Sequence, residues 1–100
     1  MMELHVCNRN GDVLRAFALG DNPEVIVGRD ADCDVCIGSK AVSREHCAIE
    51  AEGDTLTIRD LGSTGGTKLN GEPISSRIPL RDGMEFEIGP AVLKFYATSV

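Results

Sequence analysis

Apolar residues recur along this chain at every second position rather than at helical spacing. Glu3-Leu4-His5-Val6-Cys7 alternates, and Val13–Leu19 carries apolar residues at alternate positions. Cys47-Ala48-Ile49-Glu50-Ala51 and Thr55-Leu56-Thr57-Ile58-Arg59-Asp60 repeat the pattern on either side of Glu52-Gly53-Asp54. A period of two predicts half-buried β-strands, because successive side chains leave a strand on opposite faces. Asn10-Gly11 between the first two runs is a strong hairpin signal. Gly20-Asp21-Asn22-Pro23 breaks the second run, and Pro23-Glu24-Val25-Ile26-Val27 restarts it. Next come a polar loop, Asp30–Asp34, a short strand, Val35-Cys36-Ile37, and a second loop, Gly38-Ser39-Lys40. Thr67-Lys68-Leu69 turns at Asn70-Gly71 into Glu72-Pro73-Ile74. Arg81-Asp82-Gly83 precedes Met84–Ile88, and Gly89-Pro90 opens the final strand, Ala91–Tyr96. No segment reads as a helix. Many short strands separated by glycine turns predict an all-β chain folded as a β-sandwich.

Length and charge narrow the picture. One hundred residues suit a single domain over 1–100, which would bury ~60–70% of its unfolded surface. There is no linker, internal repeat or low-complexity tract. No stretch reaches the ~20 apolar residues that a membrane span requires, and Met1-Met2-Glu3-Leu4-His5 has no secretory pattern. The expected location is the cytosol, or the cytosolic part of a larger protein, with no membrane partner. Cys7, Cys33, Cys36 and Cys47 are expected as reduced thiols acting as small hydrophobes. The net charge of −6 argues against nucleic acid, whose binders present basic faces. It opposes an anionic ligand only at long range, since charges are screened beyond ~8 Å at physiological salt. Arg29, Lys40, Arg44 and Lys68 all fall in the loop regions, so a local basic pocket on an acidic body is expected.

The candidate chemistry gathers around Arg29, which follows Gly28 at the end of an apolar run. A guanidinium offers a planar fork of donors that matches two phosphate oxygens. Ser43 and Thr64 would add hydroxyl donors, Arg44 a second charge, and Gly62, Gly65 and Gly66 free backbone N–H groups. This set suits one dianionic group better than a metal ion or a long polyanion. A hydrolase reading of Ser43, His46 and Asp60 is disfavoured: Ser43 and His46 share one loop without a G-x-S-x-G elbow. A zinc reading of Cys33-x-x-Cys36 lacks a second C-x-x-C pair.

Four pieces in register carry a resemblance: Gly28-Arg29, Ser43-Arg44-Glu45-His46, Asp60-Leu61-Gly62-Ser63-Thr64-Gly65-Gly66-Thr67, and Leu69-Asn70-Gly71. Together they resemble a forkhead-associated (FHA) domain over nearly the whole chain. The resemblance implies a sandwich of about eleven strands whose loops at one end bind phosphothreonine in a partner protein. It assigns ligand contacts to Arg29, Ser43, Arg44, Thr64 and the Gly65 position. Gly28, His46, Asn70 and Gly71 would support the site, His46 by bracing the serine loop and Asn70 by holding a turn. It implies a non-catalytic module without a cofactor, and a monomer is the expected state. The alternatives on the same fold are a phosphate-independent interaction module and a regulatory domain of a larger signalling protein. One departure stands out. The family's run is S-x-N-G-T, whereas this chain reads Ser63-Thr64-Gly65-Gly66-Thr67, without the asparagine that brackets the peptide main chain.

Overall fold

The computed structural model describes residues 2–20 and 22–97. Met1, and Asp21 of the break after the second run, lie outside the described residues. Among the described residues eleven strands form, in order β1 (Met2–Cys7), β2 (Val13–Ala18), β3 (Glu24–Gly28), β4 (Val35–Cys36), β5 (Cys47–Glu52) and β6 (Thr55–Asp60). They continue with β7 (Lys68–Leu69), β8 (Glu72–Pro73), β9 (Ile78–Pro79), β10 (Glu85–Ile88) and β11 (Ala91–Ala97). Two sheets result, one ordered β2-β1-β11-β10-β7-β8 and the other β4-β3-β5-β6-β9. Among the described residues there is no helix, and so none long and apolar enough to cross a membrane.

The alternating runs do what their period requires. Leu4 and Val6 of β1, Val25 and Val27 of β3, and Phe86 and Ile88 of β10 are all buried in one core cluster. The turns follow their glycines. Asn70 and Gly71 both take positive φ, 54° and 84°, which is the signature of a two-residue type I′ hairpin. Gly53, at φ 63°, begins the two-residue turn between Glu52 and Thr55, which pair directly.

Three expectations need adjusting. Asn10-Gly11 does lie in an antiparallel β1–β2 hairpin, but the connection is longer than two residues. Cys7 pairs with Val13 after a register shift, and the Asn8 side chain ties the intervening loop by accepting from the Asn10 and Asp12 N–H groups, each at 3.0 Å. Strand β2 exists, but its alternation does not mark a half-buried face. It lies at a sheet edge, where Val13 and Leu14 remain 55% and 60% exposed. Strand β9 was not anticipated. Ile78-Pro79 pairs with Ile58 and Thr57 at the margin of the second sheet, where a proline costs no ladder bond on its open side.

The ends of β3 and β4 place the site. These strands run parallel, Val27 beside Val35 and Gly28 beside Cys36, so residues 29–34 must fold back on themselves. Asp30 makes the reversal, accepting from Cys33 N–H at its carbonyl (3.0 Å) and from Asp32 N–H at its side chain (3.2 Å).

Phe86 is 1% exposed, so Phe86→Ala is expected to cost about 3–5 kcal/mol through lost burial and a residual cavity. Leu14→Ala should stay within about 0.5 kcal/mol of wild type. Denaturant unfolding of both variants checks the contrast, and an equal cost would refute this assignment of the core.

Candidate functional site

A single missing side chain lets two loops meet. Gly28 is buried against the backbone of the loop that leads into β5. A methyl group at Gly28 would overlap the Arg44 carbonyl oxygen and stand 2.9 Å from Glu45 Cα. The close approach is then fastened by hydrogen bonds. Arg29 N–H donates to the Ser43 carbonyl (2.9 Å), and Asp30 N–H donates to the Arg44 carbonyl (3.1 Å). The Arg29 side chain is aimed as well, since its Nε–H donates to the Val42 carbonyl at 3.1 Å. That contact spends one of five guanidinium donors and leaves the terminal fork free.

His46 braces the serine loop from beneath, fully buried. The Ser43 N–H donates to His46 Nδ1 at 3.1 Å, and Nε2 lies 2.9 Å from the Gly66 carbonyl. An amide can only donate and a carbonyl can only accept. His46 is therefore the neutral tautomer with its hydrogen on Nε2, joining the loop before β5 to the loop after β6. The same two loops are joined a second time at the surface, where Thr64 N–H donates to Ser43 Oγ at 3.1 Å. Ser43 Oγ thus accepts from within the protein, and its own O–H remains available to an anion. Thr64 is left with its hydroxyl, because its backbone donor is occupied.

Asp60 organises the glycine-rich loop. Its carboxylate accepts from Gly62 N–H (3.0 Å), Ser63 N–H (2.9 Å), the Thr67 hydroxyl (2.8 Å) and the Ser63 hydroxyl. Partial burial pushes this carboxyl up, but the hydrogen bonds from Ser63 and Thr67 outweigh it. The carboxyl is held below the ordinary aspartate value of 3.8. Sequence reasoning placed Asp60 in a motif without giving it this task. The signal was present in the strand-end aspartate followed two residues on by a glycine, whose N–H closes an Asx turn onto it.

These contacts create an open cleft of about 690 Å³ lined by Arg29, Lys40, Ser43, Arg44, Thr64 and Gly65, with Ala41, Val42 and Glu45. All five residues expected to touch a ligand therefore share one cleft. Lys68, expected to join this basic group, instead lines a neighbouring cleft. Gly28 and His46 lie beneath the site, while Asn70 and Gly71 form the β7–β8 turn and do not line this cleft. Gly65 has no positive φ, and its nearest neighbour for an added methyl is the Ala41 carbonyl at 3.6 Å. A β-carbon fits there without backbone strain.

Ser43, His46 and Asp60 do not form a proton relay. Both ring nitrogens of His46 are occupied by backbone groups, and Asp60 is bonded within its own loop. The Cys33 and Cys36 thiols donate to the carbonyls of Arg44 (3.1 Å) and Arg29 (3.4 Å). Burial, then Asp30, push the Cys33 thiol up, which keeps it protonated for that role. The Cys47 thiol is buried and pushed up to about 12. All four cysteines are free. Among the described residues, no group of three or more His, Cys, Asp or Glu side chains is placed to hold a metal ion.

The profile of the FHA domain matches residues 25–89, which span every loop of this cleft. The chain belongs to the FHA domain family. It is 37% identical over 75 residues to the glycogen accumulation regulator GarA of Mycolicibacterium smegmatis, covering 75% of this chain and 47% of that protein. It is 36% identical over 75 residues to an oxoglutarate dehydrogenase inhibitor of Corynebacterium jeikeium, covering 75% and 51%. The chain thus spans about half the length of these curated relatives. Among solved structures, the FHA domain of CT664 from Chlamydia trachomatis superposes with a TM-score of 0.87 at 25% identity, covering 98% of each chain. An FHA domain studied for phosphothreonine-dependent interactions superposes with a TM-score of 0.82 at 26% identity, covering 98% and 99%.

A carboxylate with a lowered folded value contributes stability that is complete above 3.8 and is lost as pH falls through the folded value. Asp60→Asn should therefore lower the melting temperature at neutral pH, with the gap from wild type closing below about pH 4. Thermal melts across the acid range read this directly. A gap independent of pH would show that the charge of Asp60 has no part in holding the loop.

Proposed function

We propose that this FHA chain, as one domain over residues 1–100, is a non-enzymatic module that docks a phosphothreonine-bearing segment of a partner protein. The observation that carries the reading is the convergence of Arg29, Lys40, Arg44 and the free hydroxyls of Ser43 and Thr64 in one open cleft. The described ion pairs use Arg59, Arg77 and His5, so among the described residues Arg29, Lys40 and Arg44 outnumber the one acid of this cleft, Glu45, and make no ion pair with it. Arg29 would grip two phosphate oxygens with its free fork, Ser43 would donate its hydroxyl to a third, and Arg44 and Lys40 would add charge. This is the Arg-cluster mode of phospho-motif recognition. The solved FHA domain with phosphothreonine-dependent interactions supports a phosphothreonine ligand. Four free thiols fit a cytoplasmic setting. The domain is expected to act as a monomer without nucleic acid.

Arg29→Ala should weaken binding to a phosphothreonine peptide about tenfold or more, since a hydrogen bond to a charged group contributes about 1.5–3 kcal/mol. Arg29→Lys should recover little, because a point charge cannot reproduce the fork. Titration calorimetry against the best peptide from a randomised phosphothreonine library, with unphosphorylated controls, is the measurement. Wild-type affinity in the alanine variant would remove Arg29 from the site. Failure of wild type to bind any phosphopeptide would favour a phosphate-independent interaction on the same loops.

Gly65 supplies a second test. An asparagine there could donate and accept along the peptide main chain, and two such bonds at about 0.5–1.5 kcal/mol each would tighten binding roughly five- to a hundredfold. Gly65→Asn is expected to keep the fold and gain affinity, and Gly65→Ala to gain none. Equal affinities for all three proteins would mean that another group grips the backbone.

A further inference from the structure

Beside the phosphate cleft lies a second one, lined by Arg9, Ser39, Gly66, Lys68, Glu87 and Pro90, among others. The two clefts share Ala41 and Gly65. The smallest side chains therefore stand at their junction, and an extended peptide can cross from one to the other. The floor of the second cleft is tightly built. A methyl group on Gly89, in the β10–β11 turn, would come within 3.1 Å of Ala41 Cβ and 3.2 Å of Val42 Cγ2. Arg9 reaches over this turn from the β1–β2 loop, its Nη2 donating to the Gly89 carbonyl at 3.4 Å.

The charge of this region is unlike that of the rest of the chain. The whole sequence has 10 Lys and Arg against 16 Asp and Glu. The two clefts hold five of those cations, Arg9, Arg29, Lys40, Arg44 and Lys68, and only two acids, Glu45 and Glu87. Their local sum is +3 on a chain of −6. Neither Arg9 nor Lys68 is in an ion pair among the described residues, although Glu87 is the cross-strand partner of Lys68. Exposed cations that spend no charge within the protein are free to meet an anionic side chain from outside.

We infer that Arg9 and Lys68 select an anionic residue flanking the phosphothreonine, so that the preferred partner segment is acidic on the side that crosses Gly65. This rests on the phosphothreonine reading of the first cleft. A carboxylate and a second phosphate share the required chemistry, and the test below distinguishes them.

The experiment uses phosphothreonine peptides in which one glutamate is moved through the flanking positions, with alanine elsewhere. At one position the glutamate peptide should bind wild type about three- to tenfold tighter than the all-alanine phosphopeptide, as two partly exposed ion pairs would give. In the Arg9→Ala/Lys68→Ala double variant that preference should vanish, while affinity for the all-alanine phosphopeptide stays within twofold of wild type. Lys94→Ala, which removes a charge outside both clefts, should retain the preference. A phosphoserine placed at the selected position and binding tighter than glutamate would identify a doubly phosphorylated segment as the preferred partner. Wild type that binds phosphothreonine peptides without acidic preference, or a preference unchanged in the double variant, would overturn this inference alone. Absence of any phosphopeptide binding would instead overturn the reading on which it rests.

Discussion

Two backbones touch at Gly28, and the rest of the site depends on that contact. The carbonyl of Arg44 occupies the space where any other residue would carry a β-carbon. From this approach follow the Arg29–Ser43 and Asp30–Arg44 backbone bonds, which hold an arginine and a serine fourteen positions apart at the rim of one cleft. His46 then carries the constraint onward to the glycine-rich loop through a ring whose two nitrogens are both committed. Loops are ordinarily the mobile part of a β-fold. Here three of them are tied to one another before any ligand arrives, which lowers the ordering cost that a bound peptide must offset.

The distribution of charge follows a similar division of labour. On the second sheet, Arg59 meets Glu50 at 2.6 Å, and Arg77 bridges Glu50 and Glu52 at 3.5 and 3.6 Å. Those cations neutralise an acidic stretch of β5 that would otherwise repel itself across to Glu24, the strand partner of Glu50. The arginines at the loop end have no such duty. An acidic body with a basic rim discourages polyanions at long range and still attracts one compact dianion at short range, because screening confines each field to its own neighbourhood.

Much of this was legible in the sequence. Period-two alternation pointed to β1, β5 and β6, and apolar runs bounded by turn residues pointed to β3, β10 and β11. Strands β5 and β6 nevertheless each bury three successive residues, Cys47 to Ile49 and Leu56 to Ile58, rather than one face alone. Asn70-Gly71 specified its turn for a local reason, since few pairs accept two successive positive φ angles. The order Gly28-Arg29, Ser43-Arg44-Glu45-His46, Asp60–Thr67 and Leu69-Asn70-Gly71 was enough to resemble an FHA domain, because each piece is a short loop or turn whose residue types carry their own geometry. Strand β9 escaped notice, as two residues are too few to show a period. The exposure of β2 was hidden because its apolar pattern resembles that of a half-buried strand, and only its place at a sheet edge leaves Val13 and Leu14 in water.

The roles within the site were decided by the tertiary structure. Nothing local distinguishes the Thr64 backbone donor, already spent on Ser43 Oγ, from a free one. Nor does sequence separate Lys40, which lines the first cleft, from Lys68, which lines the second beside Arg9. By itself the sequence determined a two-sheet β-fold, its turns and the residue types that meet a phosphate, because those depend on spacing along one chain. Which donors remain free, and which cations share a cleft, depends on distances between segments 20 to 80 residues apart. Packing alone sets those distances.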